Sequence, residues 1–112
     1  MTARQILRRL HIEYNDFINN PNEQFSAVPV DPKDPLEWTA MIIGPKNTPY
    51  EGGKFYLNIK IPIDYPFKPP IVRFRTKIHH PIVLESGEIC LDILNSCWVP
   101  NIDIKKILEA IM

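Results

Sequence analysis

The chain has no excess of charge of either sign, because 13 Lys and Arg residues balance 13 Asp and Glu residues. Binding to nucleic acid depends on a clear cationic excess, so the balance argues against that function. A membrane-spanning helix needs an apolar run of about 18 residues, and the sequence has none of that length. The N-terminus also lacks the unbroken apolar segment and the small-residue cleavage site of a secretory signal.

Cysteine and glycine are scarce, with two and four residues respectively. Two cysteines without a signal peptide indicate a reducing compartment, the cytoplasm or the nucleus, in which thiols stay free. No repeat, low-complexity tract or internal linker divides the 112 residues, so one domain over residues 1–112 is predicted. Proline, by contrast, is abundant at 12 residues, which indicates rigid turns and extended connections.

Two stretches have the apolar periodicity of helices. Residues 2–19 form the first, with Thr2 and Gln5 in a capping-box pattern and Asn20-Pro21 at the end. The second begins within "NIDIKKILEAIM", and the chain ends inside it. The apolar positions at helical spacing are Ile6, Leu7, Leu10, Tyr14, Phe17 and Ile18 in the first helix, and Ile104, Ile107, Leu108 and Ile111 in the second.

Four short segments between the helices have the alternation or composition of strands: "FSAVPV", "EWTAMII", "KFYLNIKI" and "IVRFRT". Turns rich in Pro, Gly, Asp and Asn separate them, which predicts an antiparallel meander and an α+β fold. Pro29 fits only an edge strand or a bulge. Residues 77–100 then form a loop that is long for so small a domain and too apolar for disorder, which is typical of a functional loop.

The loop contains Cys90, for which the residues leave three interpretations. A free cysteine between Ile89 and Leu91 can be a packed thiol. A metal site would use His79, His80, Cys90 and Cys97, but adjacent histidines and cysteines six residues apart do not have the usual ligand spacing, so no metal is expected. The third interpretation is a surface nucleophile that follows the "ESGE" turn. Cys97, beside Trp98, is interpreted as structural.

The segments "YEGGKFYLNIKIPIDYPFKPPIVRFRTKIHHP", "GEICLDIL" and "WVP", in that order, resemble the core of a ubiquitin-conjugating enzyme. The resemblance covers nearly the whole chain. It implies that Cys90 accepts the C-terminal carboxyl of ubiquitin as a thioester from an activating enzyme, and that a lysine of a protein substrate then takes the acyl group. It implies no metal and no organic cofactor, since ATP is used by the activating enzyme upstream.

The resemblance also suggests roles for other residues. Those that match the surface for RING or HECT ubiquitin ligases are Arg8, Arg9, Phe67, Pro100 and Asn101. Ser26 matches a position that contacts ubiquitin non-covalently in some members. His80 matches the histidine of the His-Pro-Asn motif, which fixes the turn by side-chain hydrogen bonds, and Asp92 follows the cysteine as in the family.

Two departures from the family pattern qualify this expectation. Ile82 occupies the position of the motif's asparagine, whose amide supports the oxyanion or braces the loop, and an isoleucine side chain has no donor. Family members also continue through two further helices after the second one here. An enzyme is therefore the first hypothesis, and the alternative is a catalytically impaired scaffold or binding module with the same fold.

Overall fold

The structure, a computed structural model, describes residues 3–31 and 33–111. Its first helix, α1 (Ala3–Asn19), confirms the predicted helix, while Thr2 of the predicted capping box lies outside the described residues. The buried face of α1 consists of Ile6, Leu10, Glu13 and Phe17. Leu7 and Ile18 are exposed. The face that meets the core is therefore narrower than the apolar stripe of the sequence, and it includes an acidic residue.

The described residues form one antiparallel sheet in which each strand pairs with the next along the chain, as predicted. The strands are β1 (Phe25–Asp31), β2 (Asp34–Ile43), β3 (Lys54–Lys60) and β4 (Ile71–Phe74). β1 is an edge strand with a neighbour on one side only, which is where a proline without a backbone N–H, here Pro29, is tolerated. The pairing of β1 with β2 shifts register between Pro29 and Asp31.

One face of the sheet is covered by α1 and by the second helix, α2 (Ile104–Ile111). The four apolar residues predicted for α2 are all buried. The sheet contributes alternate side chains to the same core, namely Phe25, Ala27, Trp38, Ala40, Ile42, Leu57, Ile59 and Val72. The other face of the sheet is open and carries Ser26, Val28 and Tyr56. None of the described helices is long and apolar enough to cross a membrane.

The segment between β4 and α2 is ordered by short-range pairing rather than by regular structure. Isolated bridges join Val83 to Ile89 and Arg73 to Glu88, so residues 83–89 form a small hairpin beside β4. Gly87 has φ +89°, and a Cβ there would lie 2.4 Å from the carbonyl oxygen of Phe74. Only glycine lets the hairpin approach the strand this closely. A 3₁₀ helix (Asp92–Leu94) begins two residues after Cys90, with Leu91 at its N-cap.

Candidate active site

Cys90 lies at the surface where the chain leaves the hairpin. It is a free, exposed cysteine, whereas the preceding Ile89 is buried in the core. The backbone N–H of Cys90 donates to the carbonyl oxygen of Ile82 at 2.7 Å. The thiol is therefore presented to solvent by a backbone that is anchored on one side by packing and on the other by a hydrogen bond. This geometry excludes the interpretation of Cys90 as a packed thiol.

His80 and Tyr50 hold the backbone that receives this hydrogen bond. The N–H of Ile82 donates to Nδ1 of His80 at 3.2 Å, and the His80 ring packs against the Tyr50 ring in a tilted arrangement, with centroids 5.4 Å apart. The Tyr50 hydroxyl donates to the carbonyl oxygen of His79. A chain of contacts thus runs from Tyr50 through His80 and Ile82 to the N–H of Cys90.

The side chain of Ile82 is half-buried and packs against the core. It lines an apolar cavity of about 120 Å³ together with Tyr50, Phe55 and Phe74. An aliphatic side chain suits this lining, but it offers no hydrogen-bond donor to a reacting group. At this position the backbone of Ile82 braces the loop, while the side chain fills space.

The turn after Cys90 is closed by hydrogen bonds to backbone carbonyls. The carbonyl oxygen of Asp92 accepts from the N–H of Asn95 at 3.0 Å and from the N–H of Cys97 at 2.9 Å. The side-chain amide of Asn95 donates to the carbonyl oxygen of Leu91 at 3.1 Å. These hydrogen bonds make the segment after Cys90 compact. Asp92 itself is exposed, so its carboxylate faces solvent.

Cys97 is exposed, and its thiol lies 4.0 Å from the hydroxyl of Ser96. The expectation that this thiol is packed beside Trp98 is therefore wrong, whereas its interpretation as a residue without a catalytic role stays a prediction. Proximity to Trp98 in sequence was the only signal for burial, but Trp98 is half-buried while Cys97 is exposed. Within residues 3–31 and 33–111, no group of three or more His, Cys, Asp or Glu residues could hold a metal ion.

The residues matched to a ligase surface lie on segments that the fold connects. Phe67 is 61% exposed, and Arg8, Pro100 and Asn101 are also exposed. The indole N–H of Trp98 donates to the carbonyl oxygen of Pro66 at 2.8 Å, which joins the loop of Pro100 to the turn of Phe67. Because most of its side chain is exposed, Phe67 does not cover the core. Ser26 is exposed on the open face of the sheet, apart from these segments.

Arg9 differs from the other members of this set. Its guanidinium Nη2 donates to the carbonyl oxygen of Ile102 at 3.0 Å, and the group lies 5.0 Å from the centroid of the Tyr65 ring. The side chain is only 27% exposed. Much of the cation is therefore occupied by contacts within the protein, unlike that of the exposed Arg8.

Sequence reasoning missed Glu13, a buried acid in contact with Arg9 and Tyr65. Burial raises the pKa of Glu13, and the hydrogen bonds from Ile104 and Tyr65 counteract part of that effect. Burial and the adjacent carboxylate raise the pKa of Tyr65, so its hydroxyl remains a donor. The spacing of Arg9 and Glu13, four residues apart on a helix, was the available signal.

Comparison with known proteins agrees with this architecture. The model of a family described as "Ubiquitin-conjugating enzyme" matches residues 9–112. Among solved structures, human ubiquitin-conjugating enzyme E2 G1 matches with a TM-score of 0.85 and 38% sequence identity, over 96% of this chain and 88% of that chain. The match spans both helices, the sheet and the segment that carries Cys90, and the chain belongs to the ubiquitin-conjugating enzyme family.

Proposed function

We propose that the chain is an active ubiquitin-conjugating enzyme in which Cys90 carries ubiquitin as a thioester. The observation that carries the proposal is the exposed Cys90 thiol on a braced backbone, in a chain of this family. A surface thiolate is a good nucleophile, and a thiol is a good leaving group, so one residue serves both acceptance and release of an acyl group.

In the first step the Cys90 thiolate attacks the carbonyl carbon of the thioester that links ubiquitin to the activating enzyme. The new C–S bond forms at Cys90, the old one breaks, and the thiolate of the activating enzyme leaves. In the second step the uncharged amine of a substrate lysine attacks the same carbon. A C–N bond forms, Cys90 leaves as a thiolate, and the amine releases one proton to water or a nearby base.

Transfer to lysine is the step that we expect to be slow, because the side chain of Ile82 offers no donor to the oxyanion. Both steps develop negative charge on the carbonyl oxygen, and a donor aimed at that oxygen is worth about 100- to 1,000-fold in rate in acyl transfer. Ile82 supplies no such donor from its side chain. The proposal therefore includes slow transfer to lysine, while charging, an exchange between two thiols of similar chemistry, is affected less.

The proposed enzyme needs no metal and no organic cofactor, because ATP is consumed by the activating enzyme. Its partners would be ubiquitin, the activating enzyme, protein substrates, and RING or HECT ligases that contact Arg8, Arg9, Phe67, Pro100 and Asn101. A second, non-covalent ubiquitin would contact Ser26 on the open face of the sheet. The site of action would be the cytoplasm or the nucleus.

A charging assay tests the proposal directly. The protein is incubated with activating enzyme, ubiquitin and ATP, and the products are separated with and without reducing agent. We expect a thiol-sensitive adduct that is absent in Cys90→Ala and retained in Cys97→Ala. The second variant is a matched control, since both cysteines are exposed. An adduct that persists in Cys90→Ala would refute the assignment.

The alternative function, a scaffold that binds ubiquitin or ligases without transferring ubiquitin, is favoured by one observation, the missing donor at Ile82. A folded wild-type sample that forms no adduct, yet binds ubiquitin, would support the scaffold. An adduct that forms but does not discharge to lysine, even with a ligase, would indicate a carrier that has lost the second step.

A further inference from the structure

Glu13 is the buried charged residue of the described part of the chain, with 8% of its surface exposed. A buried carboxylate is costly unless its oxygens are well paired. Here Oε1 accepts from the N–H of Ile104 at 2.8 Å, and Oε2 accepts from the hydroxyl of Tyr65 at 2.7 Å. Both oxygens of the carboxylate therefore have donors from outside α1.

These donors come from elements far apart in sequence. Tyr65 is 52 residues from Glu13 and belongs to the proline-rich turn after β3, whereas Ile104 is 91 residues away and begins α2. Arg9 reinforces the arrangement, since its Nε lies 3.4 Å from Oε2 of Glu13. Its Nη2 holds the carbonyl oxygen of Ile102. A single carboxylate thus ties α1, the turn and the start of α2 together.

The residues held by Glu13 flank the exposed residues matched to a ligase surface. Phe67 lies two residues after Tyr65, in a turn where the Phe67 N–H donates to the carbonyl oxygen of Asp64 at 2.8 Å. Pro100 and Asn101 lie between Trp98 and Ile102. The centroids of the Trp98 and Tyr65 rings are 6.2 Å apart. The indole N–H of Trp98 donates to the carbonyl oxygen of Pro66.

We propose that Glu13 is a positioning residue for ligase binding, because its buried carboxylate sets the spacing between the turn of Phe67 and the loop of Pro100 and Asn101. A partner that meets two separate patches binds well only when their spacing is preformed, since ordering them on binding costs affinity. This proposal rests on the proposed function, which assigns those exposed residues to ligase contact.

Glu13 itself is out of reach of a partner, so any effect on binding must pass through Tyr65, Arg9 and Ile104. Replacement by alanine leaves the Tyr65 hydroxyl and the Ile104 N–H without their acceptor. Glu13→Gln keeps an acceptor for Ile104, and its amide can donate to the Tyr65 oxygen, so it retains the links between elements while losing the charge that faces Arg9. The glutamine variant is therefore a conservative rescue.

The experiment measures the affinity of an isolated RING domain, chosen because it binds the wild-type chain and stimulates its discharge. The variants are Glu13→Ala, Glu13→Gln, Tyr65→Phe, Phe67→Ala and Val72→Ala. Val72 is a buried residue of β4, so its variant controls for lost stability alone. Affinities are measured at a temperature at which every variant is folded. Discharge of the preformed thioester to free lysine without a ligase normalises for changes at Cys90.

We expect Glu13→Ala to weaken RING binding about tenfold, the equivalent of about 1.4 kcal/mol, and Glu13→Gln by a few-fold at most. Tyr65→Phe, which removes one of the links, should lie between them, and Val72→Ala should bind as the wild type does. The NMR signal of the Trp98 indole N–H should shift in Glu13→Ala, because the turn and loop that it joins have moved.

The two proposals fail in different ways. If Phe67→Ala loses RING binding while Glu13→Ala binds as tightly as the wild type, the positioning role is refuted and the ligase surface stands. If Phe67→Ala also binds normally, the assignment of the surface itself is wrong. If Val72→Ala, matched in melting temperature, weakens binding as much as Glu13→Ala, general destabilisation explains the effect and the positioning role is refuted.

Discussion

At the scale of single residues, the backbone and the side chain of Ile82 have separate roles. The backbone links His80 to Cys90, because its N–H donates to the histidine ring and its carbonyl oxygen accepts from the cysteine. The side chain packs toward the core and lines an apolar cavity. The loop is therefore braced without the asparagine amide of the His-Pro-Asn motif. What the Ile82 side chain does not supply is a hydrogen-bond donor to an oxyanion.

In the proposed enzyme, Ile82→Asn should accelerate discharge of the Cys90 thioester to free lysine by up to about 100-fold, because it adds a hydrogen-bond donor that isoleucine lacks. Charging should change little. The rates are measured by pulse–chase with preformed thioester, at a temperature at which the variant remains folded, since a polar amide in the half-buried site lowers stability. Ile82→Leu, which has no donor, is the matched control. Equal discharge rates for the two variants would show that another group supports the oxyanion.

Glu13 gives the stability of the protein a distinctive dependence on pH. Burial raises the pKa of its carboxyl above the ordinary value of 4.5, while the hydrogen bonds from Ile104 and Tyr65 and the charge of Arg9 oppose the rise and Asp103 adds to it. A raised carboxyl pKa means that this contribution to stability is complete below pH 4.5 and is lost as the pH rises through the raised value. The free energy of unfolding of the wild type, minus that of Glu13→Gln, should therefore fall as the pH increases across that interval.

Urea unfolding at a series of pH values measures this difference. Asp16→Asn provides a control of opposite sign, because hydrogen bonds from Asn20 and Lys105 lower the pKa of Asp16. Stability that depends on a lowered pKa is present above the ordinary value of 3.8 and is lost as the pH falls. A difference between wild type and Glu13→Gln that stays constant with pH would contradict the assignment of a buried, perturbed carboxyl.

At the scale of elements, the hairpin of residues 83–89 determines where Cys90 emerges. The N–H of Phe74 in β4 donates to the carbonyl oxygen of Gly87 at 2.9 Å, which fixes the hairpin against the edge of the sheet. An added Cβ at Gly87 would collide with the backbone of Phe74 rather than with a flexible side chain. The position of the thiol thus depends on close approach of two backbones.

Gly87→Ala should destabilise the protein by at least about 2 kcal/mol, since it combines a left-handed backbone conformation with a steric collision. In the proposed enzyme it should also reduce the charging rate of Cys90, because the hairpin must move away from β4. Gly52→Ala is the matched control: Gly52 has φ +79° and nothing within 4 Å of the added carbon, so it isolates the conformational cost, about 1 kcal/mol. Equal unfolding free energies for the two variants would refute the role of close approach.

At the scale of the whole molecule, one core joins the helices to a single face of the sheet. α2 contributes four buried residues over eight positions, among which Ile104, Ile107 and Leu108 are completely buried. α2 is also the element whose first N–H reaches the Glu13 carboxylate. Loosening α2 therefore affects both the core and the arrangement of the surface segments around Glu13.

Ile107→Ala should lower the free energy of unfolding by about 2–5 kcal/mol, the usual cost of a large-to-small change at a fully buried aliphatic residue. Ile71→Ala is the control, because Ile71 is 57% exposed and its truncation should change stability by no more than about 0.5 kcal/mol. Chemical denaturation monitored by circular dichroism measures both. A loss of less than 1 kcal/mol in Ile107→Ala would contradict the packing of α2 as described.

Particular residues show how far prediction from sequence reached. The meander, the place of Pro29 at an edge strand or bulge, and the inward face of α2 were predicted and are confirmed, because each follows from local sequence patterns. The exposure of Cys97 and the burial of Glu13 were not predicted. Their neighbours in sequence suggest the opposite in both cases, and only the turn around Asp92 and the donors from Tyr65 and Ile104 decide them.

The sequence by itself determined the order of helices and strands, the apolar residues that α2 and the sheet turn inward, and the presence of Cys90 in a setting that resembles the family's. The order of the elements and their inward faces follow from local periodicity, because the spacing of apolar residues is enough to select the face that is buried. The tertiary structure decided which charge is buried, that both cysteines are exposed, and which segments one carboxylate joins. The reason is physical: the energy of a buried polar group depends on partners that folding brings from distant parts of the chain.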